Sequence, residues 1–206
     1  MLKIWGRSSS VNVQKVLWTV RELALPHTIE QVGGKFGGLD TPEYIAMNPN
    51  RKIPVINDSG LILWESNAIV RYLAARYSEG SLWSTSLAVR AHADRWMDWT
   101  ATEWQPAIVP AFLGLIRTPE DQRDHAAIAA SVAKMNAQGL ILERALQNKD
   151  TITGDGLSMA DIVLGCVAHR WLSLPIERPD TPAIHAWYRR LMMRPATQGV
   201  LTLPLA

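Results

Sequence analysis

The spacing of apolar and polar positions changes about a third of the way along the chain. The first part begins with a short apolar run at Leu2–Trp5, continues with apolar positions one helical turn apart over residues 11–25, and returns to a short run at 27–32. Short aliphatic and β-branched runs predict strands, and recurrence at i, i+3 and i+4 predicts a helix. The order strand, helix, strand predicts a βαβ unit with a right-handed crossover.

Two further apolar runs, at residues 53–56 and 61–64, flank a polar turn that contains Asn, Asp and Gly. This pattern predicts a β-hairpin. Pro54 stands at the start of the first run, where its missing N–H is tolerated, and the peptide bond before it is a candidate cis bond. Ser66 opens a helix, and the free N–H groups of a helix start favour an anion. We interpret residues 48–75 as a carboxylate-binding corner.

The second part of the chain shows helical patterns alone. Residues 77–85 are small and polar and are interpreted as a linker. A long helix is expected over residues 87–116, which Pro106 and Pro110 should kink or break. The predicted fold class is therefore α/β plus all-α, with a β-α-β-α-β-β-α domain over residues 1–76 and an all-helical domain over residues 86–206.

A helix start in the second domain is predicted from Ser158 and Asp161. A capping Ser followed by an acidic residue three positions later has the form of a capping box, in which each side chain satisfies a backbone N–H of the other residue. Asp replaces the usual Glu here. We interpret Ser158 and Asp161 as structural rather than catalytic.

Composition and charge narrow the setting. The 206 residues carry a net charge of +2, which gives no reason to expect a nucleic-acid partner. A single cysteine, Cys166, lies on an apolar helix, so an internal disulfide is impossible and a reducing compartment fits. The start of the chain does not resemble a signal peptide, and the uncharged run at 104–116 is too short to span a bilayer. The expected location is cytoplasmic, without a membrane partner, and the scattered histidines suggest no metal site.

Three segments of the 48–75 corner together resemble a known family. They are Asn48-Pro49, Lys52-Ile53-Pro54-Val55 and Glu65-Ser66-Asn67-Ala68-Ile69. Their combination resembles the glutathione-binding half of the glutathione S-transferases. The resemblance covers essentially the whole chain and implies a thioredoxin-like first domain, glutathione as co-substrate and a homodimer.

The resemblance also implies roles for single residues. In the family the proline that corresponds to Pro54 is cis, and the backbone of the preceding residue, here Ile53, pairs with the cysteinyl part of glutathione. Glu65 and Ser66 match the pair that holds the γ-glutamyl group. Lys52 is placed to reach the glycine carboxylate, and a solvated surface lysine is the alternative.

Glutathione chemistry requires a thiolate, whereas a free cysteine thiol has a pKa near 8.5. Donors to the sulfur are expected in the loop that follows the first strand. The resemblance to serine-type members selects Ser10, because Lys15-Val16 match the basic and apolar pair of the first helix, and Asn12 matches a second donor in some bacterial members. Ser8 and Ser9 stay open as alternatives. Ser10 and Asn12 could also simply cap the first helix.

The electrophile pocket is expected between the two domains. Its candidate wall on the long helix consists of Trp99, Glu103, Trp104 and Phe112, and core packing is the alternative for the tryptophans. Arg117 is expected either to meet an anionic substrate or to be solvated.

The predicted function is a glutathione transferase active in detoxification. Bound glutathione would be activated as thiolate and would attack a small electrophile that the sequence does not identify. The loop after the first strand contains no cysteine, which argues against thiol exchange through the enzyme. A glutathione-dependent dehalogenase or isomerase on the same scaffold is an alternative. A non-catalytic interaction module and a ligand-carrying protein are others.

Overall fold

The computed structural model describes residues 1–78 and 80–206, so Glu79, inside the expected 77–85 linker, lies outside the described residues. The strands are β1 (Leu2–Trp5), β2 (His27–Glu30), β3 (Val55–Asp58) and β4 (Leu61–Trp64). The helices are α1 (Val11–Glu22), α2 (Pro42–Met47), α3 (Ser66–Tyr77), α4 (Leu87–Trp99), α5 (Gln105–Phe112), α6 (His125–Leu146), α7 (Met159–Ser173) and α8 (Pro182–Met192). Within these ranges no helix combines the length and the apolarity that a membrane crossing requires.

The four strands form one mixed sheet in the order β2-β1-β3-β4. β1 and β2 are parallel, and the pairs β1/β3 and β3/β4 are antiparallel. Trp5 pairs with Val55, and Val55 pairs with Trp64. Because the strand directions alternate there, the loop after β1, the cis-proline turn before β3 and the start of α3 after β4 all open at the same edge. The predicted fold class is confirmed, and its register brings three distant segments together.

The hydrophobic core is continuous between the sheet-containing part and the helical part. α1 packs against both α3 and α7. The contact between α1 and α7 is close, since a Cβ added at Gly165 would lie 2.7 Å from the ring of Trp18. α1 is therefore held on both sides, and its first turn is fixed relative to α7.

The long helix expected over residues 87–116 runs through both of its prolines without ending. Pro106 and Pro110 lack the N–H of the helical ladder, and the chain adapts with wider π-helical turns at Thr100–Trp104 and Leu113–Arg117. The N–H of Gln105, for example, donates to the carbonyl oxygen of Thr100. Of the expected kink or break, the break does not occur, and the helical pitch changes in two segments.

The capping box at the start of α7 is confirmed. Asp161 is fully buried and accepts four hydrogen bonds: from the N–H of Ile152 at 2.9 Å, the N–H and hydroxyl of Ser158 at 2.9 and 2.7 Å, and the indole N–H of Trp187 at 3.0 Å. Four donors on one buried carboxylate tie a loop, a helix start and α8 together, which is a structural role.

Candidate active site

The turn before β3 exposes one free backbone pair. The Ile53–Pro54 bond is cis, and neither the N–H nor the C=O of Ile53 donates to or accepts from any described residue. The preceding carbonyl, of Lys52, is held firmly: the hydroxyl of Tyr44 and the amide of the buried Asn48 each donate to it at 2.8 Å. These two hydrogen bonds therefore hold the turn in place, and the Ile53 backbone groups remain available for an extended ligand.

The start of α3 supplies an anion site beside that turn. Ser66 is buried and is the first residue of the helix, so its N–H has no partner within the helix. Its hydroxyl makes no hydrogen bond to a described residue. Glu65, which precedes it, is exposed and has φ = 70° and ψ = 110°, a region that costs a non-glycine residue about 1–3 kcal/mol. Glu65 adopts this backbone conformation at an exposed position, and local sequence rules do not predict it.

In the loop after β1, the hydroxyl groups of Ser8 and Ser10 make no hydrogen bond to a described residue. Ser10 occupies the N-cap position of α1, yet its side chain makes no capping hydrogen bond. The hydroxyl of Ser9, in contrast, accepts from Nη1 of Arg7 at 2.7 Å. The expectation that Ser10 merely caps α1 therefore finds no support in its side-chain contacts.

The side-chain amide of Asn12 is oriented by two hydrogen-bond donors, from Lys15 and Gln105. Its Oδ1 accepts from Nζ of Lys15 at 3.1 Å and from Nε2 of Gln105 at 3.1 Å. Nζ of Lys15 also donates to Oε1 of Gln105 at 2.7 Å and, at 3.5 Å, to Oδ1 of Asn67. Because Oδ1 is occupied by cationic and amide donors, the NH₂ group of Asn12 must point the other way and can act as a donor.

Lys15 is the least expected member of this network. Only 1% of it is exposed, and its ammonium contacts three neutral amide oxygens. Burial is the main cause that lowers its pKa to about 8; Arg170 lowers it too, while Cys166 and Glu65 act in the opposite direction. In the sequence, the Lys15-Val16 pair served only to select Ser10 as a donor, and no role was predicted for Lys15 itself. Lys15 lies one helical turn after Asn12, and this spacing alone indicates that the two side chains can be in contact.

The structure does not bring the four residues predicted for the electrophile-pocket wall into one pocket. Trp104 and Phe112 are 0% and 2% exposed, and the indole N–H of Trp104 donates to the Met135 carbonyl oxygen at 3.2 Å. Trp99 opens on a separate cavity beside α6, and Glu103 is exposed to solvent. These four side chains do not line one pocket, because the apolar positions of the helix pack into the core.

The larger open cavity, of about 550 Å³, lies against the loop after β1. A pair of glycines connects it with the cis-proline turn: a Cβ at Gly33 would lie 3.4 Å from Ile53, and one at Gly34 would lie 3.1 Å from Nε of Arg7. The residues around the cavity come from both halves of the chain: Arg7, Ser8, Ser9, Gln31, Gly34, Lys35, Phe36, Arg117 and Ala206. A second reactant can thus be placed next to a ligand held at the sheet edge.

Cys166 is unsuited to nucleophilic chemistry. It is fully buried, and burial raises the pKa of its thiol to about 12, against the opposing effect of Lys15 and Arg170. In the described part of the chain, no three His, Cys, Asp or Glu side chains are arranged to hold a metal ion. The reactive group of this site must therefore come from a bound ligand if it is a thiolate.

Two family models match the chain: the glutathione S-transferase N-terminal domain over residues 9–76 and the C-terminal domain over residues 104–195. The chain is 39% identical to glutathione S-transferase GstB of Escherichia coli K12, with 100% of both chains covered. It is 31% identical to glutathione S-transferase theta-1 of Rattus norvegicus, with 80% of this chain and 70% of the relative covered. A theta class glutathione S-transferase from Xanthomonas axonopodis pv. citri, with glutathione bound, superposes with a TM-score of 0.96 at 45% identity, covering 100% of this chain and 99% of the other.

Proposed function

Because the chain belongs to the glutathione S-transferase family, we propose that its sheet edge binds glutathione and holds the thiol as a thiolate. The observation that carries the proposal is the free backbone pair of Ile53 at the same edge as the unpaired N–H of Ser66. Ile53 is assigned to the cysteinyl backbone, Ser66 to the γ-glutamyl carboxylate and Glu65 to its ammonium. Lys52 is assigned to the glycine carboxylate. The activity is the transfer of an alkyl or aryl group to glutathione.

The thiolate is assigned to two donors, the hydroxyl of Ser10 and the NH₂ group of Asn12. Each hydrogen bond to a charged acceptor contributes about 1.5–3 kcal/mol, which corresponds to about one to two pKa units. The buried ammonium of Lys15 adds a positive charge behind Asn12. Attack by the bound thiolate forms the carbon–sulfur bond directly, so no covalent enzyme intermediate is required.

The test is a thiolate absorbance titration of glutathione bound to the wild-type protein, Ser10→Ala and Asn12→Ala. We expect the bound thiol to have a pKa well below the free value and each substitution to raise it by about one unit or more. Ser8→Ala and Ser9→Ala are measured beside them, because the Ser9 hydroxyl accepts from Arg7 and keeps its own O–H free to donate. We expect neither to raise the thiol pKa, and an equal rise in either variant would assign the donor to that serine instead of Ser10. A wild-type thiol pKa equal to that of free glutathione would refute the catalytic proposal and favour a non-catalytic interaction module.

The organisation of the protein is part of the same proposal. Residues 1–76 form the glutathione-binding domain, 77–85 the linker and 86–206 the helical domain. We further propose a cytoplasmic homodimer that acts in detoxification, as the family resemblance implies. Light scattering tests the dimer: a solution mass of twice the 22.9 kDa chain is expected, and a mass of 22.9 kDa would refute it.

A further inference from the structure

The cavity beside the proposed thiol site has cationic walls. Arg7 lines it from the loop after β1, Lys35 from the glycine-rich loop at residues 33–38, and Arg117 from the end of the long helix. No aspartate or glutamate occurs among the described residues that line it. Electrophile pockets that recognise apolar groups do not need three cations, so the charge calls for a physical explanation.

The two arginines of the cavity wall have no aspartate or glutamate partner among the described residues. Nη1 of Arg7 donates to the hydroxyl of Ser9 at 2.7 Å, and its buried Nε has no acceptor among the described residues. Nη2 of Arg117 donates to the backbone oxygen of Ala206 at 2.8 Å. Neither guanidinium group is paired with an aspartate or glutamate in the described part of the chain, and Ala206, as the last residue, offsets part of the charge of Arg117 with its carboxyl group.

A third guanidinium group lies behind the wall. Arg170 on α7 is only 9% exposed, and it stacks 3.9 Å from the ring centroid of Phe112, while Arg117 stacks 4.9 Å from the same centroid. The Nε of Arg170 is also buried without an acceptor in the part of the chain that the structure describes. Burial and the nearby charges of Arg117 and Arg7 lower the pKa of Arg170 to about 10. The three arginines repel one another across the base of the cavity.

We propose that this cavity binds an electrophile that carries a carboxylate or a comparable acidic group, recognised by Arg7 and Arg117. The inference rests on the proposed thiolate site and adds the substrate class. Guanidinium groups bind carboxylates through two parallel hydrogen bonds, and Arg7 and Arg117 line the same cavity without an aspartate or glutamate partner among the described residues. Arg170 contributes charge from below without contacting the substrate.

The acidic group serves to position the reacting carbon and does not take part in the bond changes. The glutathione thiolate attacks the carbon that carries a halogen, a carbon–sulfur bond forms, and the carbon–halogen bond breaks. The halide leaves with the bonding electron pair, and the proton of the thiol has passed to solvent before the attack. No oxidant or reductant is needed.

The test uses two electrophiles that differ only in charge: a chloronitrobenzoate and the matching chloronitrobenzamide, each with chlorine para to the acid or amide and ortho to the nitro group. For each, kcat/KM is divided by the rate constant of the uncatalysed reaction with glutathione. We expect wild type to prefer the benzoate by at least about tenfold, the contribution of one charge-assisted hydrogen bond.

Substitutions then assign the preference to residues. Arg7→Met and Arg117→Met should each reduce the benzoate-to-benzamide preference by between about tenfold and a hundredfold. Arg117→Lys should retain part of it, because the charge remains. Arg144→Met is the matched control: Arg144 is exposed on α6 and makes no hydrogen bond or ion pair to a described residue, so the preference should stay unchanged.

Several outcomes would overturn the inference. One is turnover of the benzamide with no preference for the benzoate, while the bound thiol pKa is still depressed; the thiolate site would then stand and the substrate class would be wrong. Another is a preference that survives both methionine variants. A third is weaker glutathione binding in Arg117→Met with an unchanged preference, which would assign the arginines to glutathione itself. If neither compound reacts and the thiol pKa is normal, the proposed function fails first.

Discussion

Replacing Lys15 with Met tests whether a buried cation acts on the thiolate through Asn12. The substitution keeps the apolar stem of the side chain and removes the ammonium, whose nitrogen donates to Oδ1 of Asn12 at 3.1 Å and to Oε1 of Gln105 at 2.7 Å. Since the pKa of Lys15 is about 8, the group is charged at neutral pH. The variant therefore removes both a charge and the hydrogen bond that orients the Asn12 amide.

The size of the effect can be worked out from this geometry. A sulfur that accepts from the NH₂ group of Asn12 would lie about 7 Å from the ammonium, because one amide group and two hydrogen bonds separate them. Two unit charges at about 7 Å, in an effective dielectric of about 20, interact by about 2 kcal/mol. The thiol pKa in Lys15→Met should consequently rise by between one and two units, to order of magnitude.

The assay is the absorbance titration of bound glutathione, combined with kcat/KM for one electrophile across the pH range. In Lys15→Met, activity should fall by between about tenfold and a hundredfold at pH values below the new thiol pKa, and the deficit should shrink once the thiol ionises unaided. Lys134→Met is the control, because Lys134 is exposed on α6. A double variant with Asn12→Ala should show less than additive losses if Lys15 acts through Asn12.

An unchanged thiol pKa in a folded, glutathione-binding Lys15→Met protein would refute this reasoning. Fully additive losses in the double variant would limit the effect to the direct interaction of the two charges and would refute the part assigned to the orientation of Asn12. A loss confined to the KM for glutathione would make Lys15 a structural residue alone.

Two further predictions concern stability. Folding lowers the pKa of Lys15 from 10.5 to about 8, so the unfolded chain holds this proton more tightly. The resulting cost to stability is complete below pH 8 and disappears as pH rises to 10.5. Over that interval, urea titrations should show the unfolding free energy of wild type rising by about 3 kcal/mol relative to that of Lys15→Met. A constant difference across that range would contradict it. Asp161→Ala should lose at least about 4 kcal/mol, because four buried donors lose their acceptor. The exposed Asp155→Ala is its control, and a loss as small as that of the control would refute the assignment.

The parts of the site that the sequence predicts are those set by local backbone rules. A proline at the start of a strand, a polar turn and a serine at a helix start can each be recognised within a few residues. Their meeting at one edge follows from the strand order β2-β1-β3-β4, whereas the sequence pattern predicts only the order of the elements along the chain. The strained Glu65 is different: its φ of 70° has no local indication, since glutamate rarely adopts that region.

The parts that the sequence does not predict depend on contacts between distant side chains. Lys15 is bound by Asn67 and Gln105, and no periodicity shows that these residues approach it. For the same reason the pocket wall was assigned to the tryptophan stripe of the long helix. Trp104, with 0% exposure, packs in the core, and the open cavity is formed by loops whose positions follow from the tertiary fold.

The cations of the site, of which Lys15 and Arg170 are buried, are best understood together. Arg170 lowers the pKa of Lys15, and Arg7 and Arg117 lower that of Arg170, so positive charge extends from the thiol corner to the electrophile cavity. A thiolate and an acidic electrophile placed side by side would repel each other, and cations set against both reduce that repulsion. Each anion that binds also relieves the repulsion among the cations, so it stabilises the fold and favours the other anion. If the proposed substrate class is right, positive charge that costs stability in the free protein would help to bring two negatively charged reactants together.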